Sequence, residues 1–153
     1  MRKEIYLAVA DRLMATGEIR HVDLWNRNVE FIEDETFDMP AVFVEFQPIT
    51  YKNMKDAVQR AQVSMNLHVV TRMAGITSDG GFAQEEALAY FDLIDTVHRA
   101  VHGLSGEHFS PLVRIQSHTN HDHDEIIENI EVYECMIEDN SACCRKIDYL
   151  CSN

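Results

Sequence analysis

Five residues carry the densest chemical potential in the chain. His118, His121, Asp122, His123 and Asp124 place three imidazoles and two carboxylates within seven positions. Imidazole and carboxylate together suit Zn or Ni, so His118, His121 and His123 are the candidate metal ligands. No distant fourth ligand declares itself, and a solvated turn between two strands accounts for the run without a metal. Four cysteines, Cys135, Cys143, Cys144 and Cys151, all fall late in the chain. They have neither Cys-x-x-Cys spacing nor a paired histidine spacing, and they do not tie distant segments together as a disulfide framework would. Cys135 reads as a small core residue on a strand. His98 and His102 stand four apart, the spacing of a helical metal pair, but Arg99, Ala100 and Val101 lie between them where a zinc protease would carry a glutamate. Their place at the end of a helix, where positive charge suits the dipole, explains them better. Gly75, Gly80 and Gly81 mark a loop over 73–82 that has neither a dinucleotide fingerprint nor a P-loop ending. There is no Gly-x-Ser-x-Gly elbow either. No catalytic constellation emerges, no cofactor is expected, and the chain is expected not to be an enzyme.

The elements that must position these residues follow from periodicity. Ile5, Val9 and Leu13 repeat every fourth residue, and Gly17 follows, so the chain opens on an amphipathic helix. Val22 and Leu24 share a face of a short strand over 21–26, and an acidic stretch, 30–38, leads to Pro40. Residues 41–46 are dense in β-formers and are bracketed by Pro40 and Pro48, neither of which can donate to a ladder. The clearest signal covers 59–71: Ala61, Val63, Met65, Leu67 and Val69 alternate with Arg60, Gln62, Ser64, Asn66 and His68. A strand with one apolar and one polar face belongs to a sheet covered on one side only. Its polar face is weakly charged and meets either water or another subunit. A second helix spans 84–102, with Leu88, Phe91, Ile94, Val97 and Val101 as its stripe. Strands over 112–117 and 130–137 close the domain.

The predicted order is α-β-β-β-α-β-β. Two apolar helix stripes and one half-buried sheet satisfy each other in a two-layer α+β domain, its mixed, mostly antiparallel sheet carrying both helices on one face. Residues 1–139 form that single domain and 140–153 a tail or arm. The chain has 153 residues, within the usual size of one domain, and its 46% hydrophobic and 25% charged composition is that of a folded protein. Thirteen basic against 26 acidic side chains give a formal charge of -13, and the basic residues are scattered. Such a surface repels phosphate backbones and anionic lipid, so neither sequence-specific nucleic acid nor membrane is an expected partner. No apolar run approaches the roughly 20 residues that span a bilayer. The N-terminus leads into an amphipathic pattern rather than a signal-peptide core, so a cytosolic origin is expected.

The same stretches resemble the tail-terminator or tail-completion proteins, the head–tail joining proteins of long-tailed bacteriophages and prophages. Pro40, Val42, Phe43 and Val44 match a Pro-x-Val-Phe-Val strand; 63–70 match a long strand, 87–101 a second amphipathic helix, and 130–137 a closing hairpin. The resemblance covers roughly residues 2–139 and rests on patterns, not invariant side chains. It implies a structural virion protein, assembled in the bacterial cytoplasm and residing in the virion tail. Members form hexameric rings that cap the tail tube, so the implied partners are copies of the chain itself, the tail tube protein and a head-completion protein. The cysteine tail and the run at 121–124 lie outside the family's pattern. Arg60, Gln62, Ser64, Asn66 and His68, with Ile76 and Phe82 of the glycine loop, are the candidate subunit contacts. Two alternatives come from other classes: a metal-binding module or metal-dependent enzyme built on 118–124, and a generic protein-docking adaptor.

Overall fold

The computed structural model describes residues 1–29, 37–72, 84–122 and 126–142. Helix α1, Arg2–Met14, buries Ile5, Val9 and Leu13 completely along one stripe. Gly17, at φ 73, turns the chain away from the helix, a conformation that glycine adopts without a Cβ clash. Strand β1, His21–Leu24, runs parallel to β2, Ala41–Phe46. A short strand β3, Tyr51–Asn53, and a 3-10 turn, Lys55–Ala57, lead into the 14-residue β4, Gln59–Arg72. Helix α2, Gln84–Val101, precedes the antiparallel pair β5, Val113–Asn120, and β6, Ile126–Asp139.

The sheet order is β1-β2-β4-β6-β5, with β3 beside the start of β4; among the described residues only the β1–β2 pairing is parallel. The fold is α+β with a mixed, mostly antiparallel sheet. It departs from the order read in the sequence by one element, β3, whose three residues are too few to show a period. No helix of the described residues is long and apolar enough to cross a membrane.

The alternation in β4 sets the layer structure. Ala61, Val63, Met65, Leu67 and Val69 are buried together with Val42 and Val44 of β2, Tyr133, Cys135 and Ile137 of β6, and the apolar stripes of both helices. Cys135 is thus a core residue, and burial pushes its thiol up to about 11. The α2 stripe differs from expectation in its first half. Ile94, Val97 and Val101 are buried, joined by Leu93, whereas Leu88 and Phe91 are 36% and 53% exposed. Only the last two turns of α2 follow the core.

Two further departures bear on the site. Strand β5 continues to Asn120 and β6 begins at Ile126, so pairing reaches well into the segment between 117 and 130 that was expected to be a solvated turn. A second apolar cluster also forms: Val29, Ala41, Phe43, Val70 and Ile126, with Trp25, Phe37 and Met39 packed against them. In register, Phe43 faces His68 and Ala41 faces Val70, whereas Val42 and Val44 face the core residues Val69 and Leu67. Because successive side chains of a strand point to opposite faces, this cluster lies on the face away from the helices. The connection that leaves β1 covers part of the face expected to be open.

Candidate functional site on the open sheet face

The open face divides into two halves. Its lower half is the polar side of β4 and the facing side chains of β6 and β2. Arg60 donates from Nε to Glu138 Oε2 at 2.8 Å, and Gln62 donates to Glu134 Oε2 at 2.5 Å. Asn66 and Gln47 each donate to Glu45 Oε2 at 2.8 Å. Two of these bonds join directly opposed residues, Arg60 with Glu138 and Asn66 with Glu45, whereas Gln62 reaches diagonally to Glu134, which faces Ser64. The Arg60–Glu138 pair is half-exposed on both sides and therefore adds little stability. Many of these polar groups already bond within the chain: Glu138 pairs with the Arg60 cation, whereas Glu134 and Glu45 accept from the neutral amides of Gln62, Asn66 and Gln47.

The upper half corrects one sequence expectation. His68 was expected on an exposed contact face, but it is only 5% exposed. The Trp25 ring stacks on it at 3.8 Å between centroids and 4° between planes. Its Nδ1 lies 2.6 Å from Glu128 Oε1, and its Nε2 lies 3.4 Å from Glu45 Oε2. Asn120 donates to the other Glu128 oxygen at 2.7 Å. These residues come from the β1–β2 connection, β2, β4, β5 and β6, so His68 fastens elements together and its side chain is not available to a neighbour. Ile76 and Phe82 lie outside the described residues.

The metal candidates divide similarly. His118 is an exposed residue of β5 opposite Ile130, so it belongs to a strand and not to the expected turn. His121 and Asp122 are exposed just beyond β5, while His123 and Asp124 lie outside the described residues. Among the described residues no group of three ligating side chains is arranged to hold a metal ion. The helix-end pair is explained by its surroundings: His98 Nδ1 lies 3.3 Å from the Tyr133 hydroxyl, and the Arg114 backbone N–H donates to His102 Nδ1 at 3.3 Å. Burial, then the neighbouring Arg114 and His102, push the His98 imidazole below its ordinary value. Burial also raises the Tyr133 hydroxyl, with the Glu131 carboxylate adding to it.

A buried polar cluster on the helix side escaped the sequence reading. Glu131 is fully buried and faces Leu67 across the ladder. Arg114 Nη1 donates to it at 2.9 Å, Asn129 donates at 2.5 Å, and Ser117 supplies a further hydroxyl donor. A buried carboxylate demands such partners. At Glu4, burial acts to raise the carboxyl, but the His108 backbone and ring bonds outweigh it and hold the group below the usual range. These contacts join separate elements of the fold.

No protein-family model and no curated protein matches the chain. Among solved structures, the chain is similar to one described as "Virion of native gene transfer agent (GTA) particle". The match has a TM-score of 0.50 and 16% sequence identity, and it covers 88% of this chain and 94% of that one. At this identity the likeness is one of fold, extending over nearly the whole of both chains.

Proposed function

We propose that the chain is a structural component of a phage-like particle, and within such a particle a tail-terminator subunit that forms a ring, caps the tail tube and joins it to the head. The observation that carries this reading is the fold shared with a chain of the gene transfer agent virion along 88% of the present chain. The element pattern noted in the sequence points the same way. The open face adds a physical reason: many of its polar groups already hydrogen-bond within the chain, so a neighbouring subunit that covers it leaves few of them without a partner. A net charge of -13 is compatible with a ring that must let DNA pass without holding it.

In this reading the chain performs no catalysis and requires no cofactor. Its partners are further copies of itself, in a hexamer, together with the tail tube and a head-completion protein. It is made in the bacterial cytoplasm and ends in the virion tail. The test is electron microscopy of the purified chain mixed with tail tubes. Six-fold density at one tube end supports the proposal, and uncapped tubes at saturating protein refute the tail-capping role.

A further inference from the structure

We draw no further inference here: the strongest candidate, the outer edge of β5, unpaired among the described strands and with exposed Val113 and Ile115, carries none because nothing in the structure shows what covers it.

Discussion

Replacing Leu67 tests the layer assignment on which the site rests. Its side chain is completely buried between Val44 of β2 and Glu131 of β6. Leu67→Ala removes a packed side chain and leaves a cavity, at a cost of about 3 kcal/mol. Leu67→Asp adds a carboxylate in the same enclosed place, directly opposite the buried Glu131, and raises the loss to about 5 kcal/mol or more. That approaches the whole stability of an ordinary domain, about 5–15 kcal/mol. Arg60→Ala, on the other face of the same strand, removes one half-exposed ion pair and costs under about 1 kcal/mol. With a urea slope of about 2 kcal/mol per molar, Leu67→Ala lowers the midpoint by roughly 1.5 M and Arg60→Ala by less than about 0.5 M. Urea titrations followed by far-UV circular dichroism and by the single tryptophan read both shifts. Equal midpoint shifts for Leu67→Ala and Arg60→Ala would show that the faces of β4 are wrongly assigned.

Three other outcomes follow from the polar clusters. Arg114→Ala leaves the buried Glu131 without its cation and lowers stability by about 3 kcal/mol; adding Glu131→Leu recovers part of the loss in a double-mutant cycle, and a single-variant cost below about 1 kcal/mol would contradict the pairing. Trp25→Ala uncovers His68 and costs about 2 kcal/mol, less than a fully enclosed tryptophan, because Trp25 is only half-buried; diethylpyrocarbonate should then modify His68 faster than in the unaltered protein, and an unchanged rate counts against the stack as a cover. The His98 imidazole, depressed chiefly by burial, should titrate in nuclear magnetic resonance below the ordinary value of 6.5. Since the folded chain favours the neutral ring, its contribution to stability is complete above that value and is lost as pH falls through the depressed one; a midpoint at or above 6.5 would contradict this sign.

The layer architecture was legible because β4 alternates for long enough to reveal one covered face, and the fourfold spacing in α1 supplies its cover. The break in that alternation was not legible. His68 continues the polar positions of Arg60, Gln62, Ser64 and Asn66 in sequence, but the connection that leaves β1 folds over it and brings Trp25 from 43 positions earlier. Local period cannot report such a cover. Glu128 read as part of a turn before the strand over 130–137, and Glu131 as an ordinary polar position of that strand, for a related reason. Carboxylates enter a core only with partners, and theirs are supplied by Asn120, Arg114 and Ser117 on the neighbouring strand. Leu88 and Phe91 obey the helical period of the α2 stripe but lie beyond the part of α2 that the core covers. Periodicity identifies a face, whereas the extent of its cover is a tertiary property. The interface candidates share this limit: the β4 period places Arg60, Gln62, Ser64 and Asn66 on one face, but it could not show that the side chains of Arg60, Gln62 and Asn66 are engaged in cross-strand bonds.

The central proposal is that this chain forms a ring that caps the end of a tail tube. Cryo-electron microscopy of the concentrated protein, alone and with tail tubes, tests it most directly. The account predicts closed six-fold rings, with one ring seated at a tube end. A stable two-fold dimer at every concentration, with no ring and no occupied tube end, would contradict it.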